Sequence, residues 1–395
     1  MATIILAVVG WLAAAWYLWQ TKVPDGLELP NLNAGEFFDE RVLEETADYE
    51  RFVRIVVVLS IVATLVALVV LVRKIPPLAR ATGLGPIGSG MIVGMVMLVV
   101  VWAVDLPFSI ALRWWAIDHE LAPPGTWIEW LVEPWAVLGG SIGFIMLQIA
   151  VVMGFARKYP RFWWIPVPPI FLAITVLFIF VSPYLLAFGV DRPQDPDLRR
   201  DAQVLAERVG AEGTPVDVEE VSDLTTQPNA FAAGIGPTER IVLFDTLLDG
   251  RFEENEVEVV VAHEFAHIAR RHIAKGLGWS VLLAFPIAFL VAEITRRRGG
   301  LGDPAVLPYG ALVLVVINLA ISPAVNEISR RYEAEADWVA LEATRDVEGA
   351  QGLFEGFAEE SLGQPDPPRW WHVIFSTHPT LLERIEMAEA WGRRR

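Results

Sequence analysis

Two apolar stretches in the second half of the chain decide how it folds: LGWSVLLAFPIAFLVAEI at residues 277–294 and AVLPYGALVLVVINLAISPA at residues 305–324. A helix needs about 20 mostly apolar residues to cross the hydrocarbon core of a bilayer, which is about 30 Å thick. Both stretches meet that requirement. The sequence therefore predicts a hairpin of two membrane spans over residues 276–325, with a polar segment on either side of it.

Five more apolar stretches precede residue 191. They cover residues 2–19, 53–72, 87–112, 135–155 and 163–190. The first is interpreted as an anchor rather than a signal peptide, because it lacks a basic start and ends in Trp16, Tyr17 and Trp19 instead of small residues. The predicted fold class is an α-helical polytopic membrane protein with about seven transmembrane helices, five of them in a membrane region formed by residues 1–190.

The composition excludes several classes of protein. Hydrophobic residues make up 54% of the 395 residues, and there are 16 Trp, which is more apolar surface than a soluble enzyme of this length hides. The net charge is −17, with 20 basic and 34 acidic side chains in residues 191–395 against 11 and 14 in residues 1–190. An acidic surface repels phosphate backbones, so we expect no nucleic-acid partner. Because the chain has no Cys, a metal must be bound by His, Asp or Glu.

The two polar segments beside the hairpin are predicted to be mostly helical, with a small β element. In residues 191–275 we predict helices at 197–209 and 253–275 and strands at 216–221, 229–233 and 240–244. In residues 326–395 we predict helices at 327–343, 350–361 and 380–391. A water-facing domain is therefore expected to form from both segments, although the hairpin separates them in sequence.

The run His263-Glu264-Phe265-Ala266-His267 has the pattern HExxH and lies in the predicted helix 253–275. The spacing of four residues places both imidazoles on one helix face, where they can bind one zinc ion, with Glu264 close enough to serve a water on that ion. The extended pattern that adds a third His six residues later is excluded by Ile273. The sequence therefore requires a carboxylate further along the chain as the third protein ligand.

The run SRRYEAEAD at residues 329–337 offers such a carboxylate. Glu333 and Asp337 share a helix face, so Glu333 can bind zinc while Asp337 accepts a hydrogen bond from a ligand imidazole. Spacing alone leaves Glu335 and Glu327 open as the third ligand, because a carboxylate on a helix surface is usually just solvated.

Four runs of the sequence are similar to those of one family of membrane proteases. They are HEFAH at 263–267, SRRYEAEAD at 329–337, QPNAFAAGIGPTERIVLFDTLL at 227–248 and STHPTLLERI at 376–385. In order and spacing they resemble the integral-membrane zinc metalloproteases of the CaaX prenyl protease type 1 family, which are of the gluzincin type. The resemblance implies a membrane-embedded endopeptidase in which a zinc-activated water attacks the peptide bond. It also implies a chamber enclosed by the spans and a peptide or protein substrate that is lipidated or membrane-associated.

The resemblance further implies roles for individual residues. One zinc ion per chain would be bound by His263, His267 and Glu333. Glu264 would be the general base, and Asp337 would accept a hydrogen bond from one of the ligand imidazoles and so orient it.

Residues outside these two runs also acquire expected roles by the resemblance. Asn229, Ala230 and Phe231 match the edge strand that binds substrate. His378 and Arg384 match tail residues beside the site, which either stabilise the oxyanion or orient Asp337 and the substrate. The remaining histidines match no motif and are interpreted as structural or interfacial; they are His119, His272 and His372.

Two other functions remain open from the sequence. A membrane-protein quality-control zinc protease of the HtpX type shares the HExxH pattern, but such proteins are typically shorter and have fewer spans. A membrane scaffold or transporter that kept the fold without the activity would be expected to lose a zinc ligand, and no predicted ligand is lost here.

The predicted spans leave two questions open. Asp105, inside the stretch 87–112, either lines a functional cavity or is a buried cap or an interfacial residue. The second question is on which side of the membrane the polar segments lie. Lys and Arg accumulate in short cytoplasmic loops, so their positions indicate the orientation. One side carries Arg73, Lys74, Arg80, Arg157, Lys158, Arg161, Arg296, Arg297 and Arg298. This count places the polar segments outside the cytoplasm, whereas the family resemblance places them inside it.

Overall fold

The computed structural model of the protein describes residues 2–125, 127–187 and 189–394, without the side chains of residues 2–4, 7, 129 and 132–141. Helices form most of it. They are α1 Ala2–Trp19, α2 Glu40–Ala81, α3 Pro86–Asp118, α4 Trp127–Lys158, α5 Val167–Leu186, α6 Pro196–Val209, α7 Glu254–Ala269, α8 His272–Arg296, α9 Leu307–Thr344, α10 Val347–Ser361, α11 Arg369–Phe375 and α12 Leu381–Gly392. The strands are β1 Val190–Asp191, β2 Val216–Glu219, β3 Ala230–Ala233 and β4 Arg240–Phe244.

Long apolar helices make this an integral multi-pass membrane protein. In the described part of the chain, the stretches long and apolar enough to cross a bilayer number five: Glu40–Ala81, Pro86–Asp118, Val167–Leu186, His272–Arg296 and Pro304–Thr344. The first predicted span is α1, whose described apolar part, Val8–Trp19, is shorter. The fourth falls in α4, and residues 135–141 of it lie outside the described side chains. Five of the seven predicted spans are thus confirmed.

One helix boundary differs from the prediction at the second span of the hairpin. The predicted span 305–324 and the predicted helix 327–343 are a single helix, α9, of 38 residues that continues through Pro323. The change from apolar to polar composition near residue 325 marks where the helix leaves the apolar region, and it is not a helix end. At about 1.5 Å per residue, α9 is about 57 Å long and connects the membrane region rigidly to the SRRYEAEAD run.

A second boundary differs directly after the HExxH run. The predicted helix 253–275 is two helices, because α7 ends at Ala269 and Arg271 adopts a left-handed conformation with φ of 55°. The next helix, α8, begins at His272 and continues through the predicted span to Arg296. The break therefore changes the direction of the chain four residues after His267, at the entry to the hairpin.

The hairpin of α8 and α9 has the HExxH run at one end and basic residues at the other. With 25 residues, α8 rises about 37 Å from His272 to Arg296. Arg297 and Arg298 follow, and the guanidinium of Arg298 lies 4.0 Å from the centre of the Tyr309 ring near the start of α9. The basic loop and the HExxH run therefore lie at opposite ends of the hairpin.

Asp105 of α3 makes two hydrogen bonds within the membrane region. Ser60 of α2 donates to its Oδ1 at 2.5 Å, and Ser109, one turn further along α3, donates to its Oδ2 at 2.8 Å. These bonds satisfy the carboxyl group locally and connect α2 to α3. Asp105 is half-buried, and these local bonds favour a structural role over a functional cavity.

The small sheet has the order β1-β2-β4-β3. β2 and β4 are parallel, and β3 pairs antiparallel with β4 with Ala230 opposite Leu243 and Ala233 opposite Arg240. Ile241, Val242 and Leu243 of β4 are 0% exposed, as expected for a central strand covered on both faces. β3 is the edge strand, and it packs against α7.

One hydrophobic core joins the two polar segments. α7 packs against α6, α9 and α10, and α12 packs against α9 and α10. Phe265 of α7 lies in the same buried cluster as Leu353 of α10 and Ile385 of α12. Complete burial of side chains of this size contributes about 1.5–3 kcal/mol each. This core holds α7 and the second half of α9 side by side.

Truncating this core should destabilise the whole domain. Leu353 is 2% exposed, so Leu353→Ala is expected to lower the free energy of unfolding by about 2–5 kcal/mol, because it leaves a cavity. The measurement is thermal unfolding of the protein in detergent. Val204→Ala on α6, where the side chain is 39% exposed, is the control. Equal unfolding midpoints for the two variants would contradict this core assignment.

Candidate active site

The helix α7 carries the HExxH run into the middle of the core. At its start, the Glu256 carboxylate accepts a hydrogen bond of 2.8 Å from the backbone N–H of Glu253. The following residues include a run of Val at 259–261, which has no strong helix preference. Burial compensates for that, since every residue from Val259 to Ala266 is buried. His263 and Glu264 are therefore held on a rigid, solvent-poor helix.

Three of the predicted ligands converge in the structure. His263 Nε2 lies 3.0 Å from His267 Nε2. Glu333 Oε2 of α9 lies 3.2 Å from His263 Nε2 and 3.6 Å from His267 Nε2. A tetrahedral site with metal–ligand bonds of about 2.1 Å separates its donor atoms by about 3.4 Å. The three side chains therefore have the spacing of ligands around one small cation.

The two alternative carboxylates lie elsewhere. Glu335 is bound to Arg270, His272 and Lys275, and Glu327 forms an ion pair with Arg330. Glu333 is thus the carboxylate that α9 presents to the two histidines.

The surroundings of Glu333 Oε2 also fit a cation. This atom is buried and forms no hydrogen bond of acceptable geometry, although three imidazole nitrogens lie within 3.6 Å of it. Burial acts to lower the pKa of His263, but its hydrogen bond to Asp337 and its close contact with the Glu333 carboxylate outweigh burial and raise the pKa to about 10. The site therefore favours positive charge strongly. Two imidazoles and one carboxylate with an open position form the ligand set of a catalytic zinc site.

His263 is oriented by a second carboxylate and an arginine. Its Nδ1 lies 2.8 Å from Asp337 Oδ1, so donation from Nδ1–H leaves Nε2 facing the other ligands. Arg384 of α12 donates to both oxygens of Asp337, at 2.7 and 2.9 Å. The guanidinium also lies 4.2 Å from the centre of the Phe354 ring. Of the two roles expected for Arg384, the structure places it where it orients Asp337.

Glu264 and His378 complete the site on its open side. Glu264 is 8% exposed, and no hydrogen bond or ion pair to another described residue holds its carboxylate. His378 Nε2 lies 3.2 Å from Glu333 Oε2, and its side chain is 57% exposed. The Glu264 carboxylate is therefore available to move a proton, and the His378 imidazole faces the solvent beside the ligands.

Sequence reasoning missed the residue that holds the His378 loop. Arg330 of α9 is buried and donates to the carbonyl oxygens of His372 at 3.1 Å and Ser376 at 2.8 Å. Asn326, one turn earlier, donates to the carbonyl of Ile374 at 2.6 Å. Arg330 lies inside the SRRYEAEAD run that the sequence singles out. Its role was missed because its partners are more than 40 residues away in sequence.

The predicted substrate residues lie at the start of β3. Asn229 accepts a hydrogen bond of 3.0 Å at its backbone carbonyl from the N–H of Phe244, and its side-chain Oδ1 accepts one of 2.9 Å from the N–H of Ala230. Antiparallel pairs alternate between bonded and unbonded residues. Since Asn229 and Phe244 are a bonded pair, the backbone groups of Ala230 and Ala232 point to the open edge of the sheet.

Comparison with known proteins assigns the chain to a family. A model of peptidase family M48 matches residues 192–392, which is just over half of the chain. The chain belongs to peptidase family M48. The match includes every predicted zinc ligand together with Glu264 and the tail residues, and it bears out the metallopeptidase that the sequence predicts.

Several known proteins are similar to the chain in sequence. The chain is 25% identical to the uncharacterized metalloprotease YhfN of Bacillus subtilis, over 69% of this chain and 67% of the relative. It is 26% identical to CAAX prenyl protease 1 of Saccharomyces cerevisiae, over 63% and 59% of the two chains. It is 30% identical to a protease HtpX homolog of Ligilactobacillus salivarius, over 41% and 63%. The chain thus spans about three fifths to two thirds of the length of these relatives.

A solved structure has the same fold. The crystal structure of S. mikatae Ste24p matches 97% of both chains with a TM-score of 0.74 at 20% identity. This likeness extends beyond the M48 segment to the membrane region. It confirms the predicted fold class, and the similarity to relatives named CAAX prenyl protease 1 confirms the resemblance to that family.

The ligand assignment makes a quantitative prediction for metal binding. Glu333→Ala is expected to abolish stoichiometric binding of zinc, because two imidazoles alone remain. Asp337→Ala is expected to weaken it by about 10- to 100-fold, since the ligand His263 loses its orienting partner. Zinc affinity is measured by competition with a chelator. If Glu327→Ala, the matched control on α9, lowers the affinity as much as Glu333→Ala, the third ligand is misassigned.

Proposed function

We propose that this protein is a zinc metalloendopeptidase that hydrolyses peptide bonds within membrane-associated substrates. The observation that carries the proposal is the convergence of His263, His267 and Glu333 next to the unpaired carboxylate of Glu264. When bound there, zinc would supply an acidified water and a Lewis-acidic centre for the carbonyl of the bond to be cleaved.

The side chains around the metal site have separate roles in the proposed reaction. Glu264 takes the proton of the attacking water and passes it to the leaving amine, which is general acid–base catalysis. His378 is exposed at the open side of the ligands, where its imidazole can donate a hydrogen bond to the oxygen that becomes negative. Asp337 and Arg384 do not touch the substrate in this proposal, since they hold the tautomer and direction of His263.

The substrate is proposed to be an extended peptide that adds to the open edge of β3. Two observations support this: β3 packs against the HExxH helix α7, and the backbone groups of Ala230 and Ala232 point to the open edge. The membrane helices bring a lipidated or hydrophobic end of the peptide to the same site, in line with the relatives named CAAX prenyl protease.

A second candidate function is membrane-protein quality control of the HtpX type. It is favoured by the 30% identity to an HtpX homolog, although that likeness covers 41% of this chain. The two candidates share the chemistry and differ in substrate, so trapping substrates on an inactive variant in native membranes separates them.

The role of Glu264 is tested by Glu264→Gln. The variant should lose about 10²- to 10⁴-fold in the rate of peptide hydrolysis, because the general base is removed, and should still bind one zinc ion per chain. Cleavage of a quenched fluorescent peptide and zinc content are measured on the same sample. Glu254→Gln, at the exposed start of the same helix, is the control. Unchanged hydrolysis by Glu264→Gln would reject the mechanism.

The edge-strand proposal is tested by Ala232→Pro. Proline removes an N–H that points to the open edge but leaves the bonded pairs of β3 and β4 in place. We expect a rise in KM of roughly tenfold, about the contribution of one backbone hydrogen bond, with the zinc content unchanged. Ala232→Val, which keeps the N–H, is the control. If both substitutions raise KM equally, the side chain rather than the backbone contacts the substrate.

A further inference from the structure

His272 makes a contact that its position in the sequence does not suggest. In a continuous helix, a residue five positions after His267 would lie about 140° away around the axis. The break at Arg271 ends α7 and returns His272 to the metal side. His272 Nδ1 lies 3.0 Å from His267 Nδ1, and the two ring centres are 4.9 Å apart and nearly perpendicular.

The direction of this hydrogen bond follows from the metal site. His267 Nε2 faces His263 and Glu333, so Nδ1 is the nitrogen that carries the proton when Nε2 binds a metal. His267 Nδ1–H must then donate, and His272 Nδ1 must accept. His272 consequently carries its own proton on Nε2, which lies 3.0 Å from Glu335 Oε2 and donates to it. A single set of tautomers satisfies all of these contacts.

Glu335 is itself fixed as a carboxylate acceptor. It is 0% exposed and accepts hydrogen bonds from Arg270 Nε at 2.7 Å and Lys275 Nζ at 3.0 Å. The backbone N–H of Lys22, just after α1, donates to it at 2.9 Å. Two cations therefore balance its charge in a dry environment, where an unpaired carboxylate would be strongly disfavoured.

The ring of His272 is also held from the side. It stacks on Tyr332 with ring centres 4.9 Å apart and planes 9° from parallel. Tyr332 donates its hydroxyl to the carbonyl of Leu18 at 2.6 Å and accepts from Trp279 Nε1 at 2.9 Å. The imidazole can therefore neither flip nor swing away from His267 without breaking these packed contacts.

We propose that His272 is a positioning residue that holds the imidazole of His267 for metal binding, with Glu335 fixing the tautomer of His272. The inference rests on the proposed metal site and adds a second orienting pair to it. Asp337 of α9, held by Arg384 of α12, orients His263. His272 of α8, held by Glu335 of α9, orients His267. Because Leu18 and Lys22 contact this second pair, the end of α1 also supports the ligand geometry.

Two isosteric variants distinguish positioning from simple packing. In His272→Asn, the side-chain oxygen can occupy the position of Nδ1 and still accept from His267. In His272→Gln, the amide reaches the position of Nε2 and contacts Glu335 without an acceptor for His267. We expect the apparent dissociation constant for zinc to rise by about 10- to 100-fold in His272→Gln and by much less in His272→Asn. A packing role predicts equal effects.

Zinc affinity is measured by chelator competition on the full chain in detergent, and the visible spectrum of the cobalt-loaded protein reports the ligand geometry. His119→Gln is the control, because His119 contacts Tyr49 and Trp115 away from the metal site. Equal zinc affinities in His272→Gln and the wild type would overturn the inference. A wild-type protein that binds no zinc would instead overturn the proposed function.

A measurement on the unaltered protein covers the case in which the variants do not fold. In the cobalt-loaded wild type, proton NMR should show two strongly shifted N–H signals that exchange slowly with solvent, one from each ligand imidazole. Both Nδ1–H groups are then engaged in buried hydrogen bonds. A single slowly exchanging signal would show that His267 Nδ1–H is free, and it would overturn the inference.

Discussion

The packing of α7 against the second half of α9 is the constraint on which the rest of the structure depends. A metal with three protein ligands needs His263 and His267 from one helix and Glu333 from the other, and the hairpin separates them by more than 60 residues. The shared hydrophobic core brings the helices together, and the 38-residue α9 transmits that position into the membrane region. Movement of α9 along its axis by one residue would displace Glu333 by about 1.5 Å and open the site.

The same packing buries several carboxylates close together, and their negative charges have to be balanced. Glu333, Glu335 and Asp337 lie within five residues of one another and are all buried. A buried charge is tolerated where it is paired. Asp337 is paired with Arg384, and Glu335 with Arg270 and Lys275. Glu333 alone faces imidazoles without a cation of its own, which is why the region around it favours a metal ion.

Much of the site could be predicted from the sequence because its signals are local. The HExxH spacing identifies His263, Glu264 and His267, and the runs shared with the CaaX prenyl protease type 1 family identify Glu333 and Asp337. The strands β2, β3 and β4 and five of the spans were also predictable from periodicity and composition. These features depend on residues that are close in sequence or on composition alone.

What could not be predicted depends on backbone conformation and long-range contact. A left-handed Arg271 has no composition signal, so the end of α7 and the position of His272 were missed. The continuity of α9 was missed because a proline at residue 323 and a change in polarity usually mark a boundary, whereas proline is tolerated in membrane helices. Arg330 was overlooked because its partners His372 and Ser376 lie in a distant loop.

The most direct test of the central claim is to locate the metal by anomalous diffraction at the zinc absorption edge. The structure predicts one strong peak per chain at about 2.0–2.2 Å from His263 Nε2, His267 Nε2 and a carboxylate oxygen of Glu333. Asp201, Glu254 and Glu258 form another cluster of possible ligands in the described part of the chain. A peak at that cluster, with none between α7 and α9, would contradict the account.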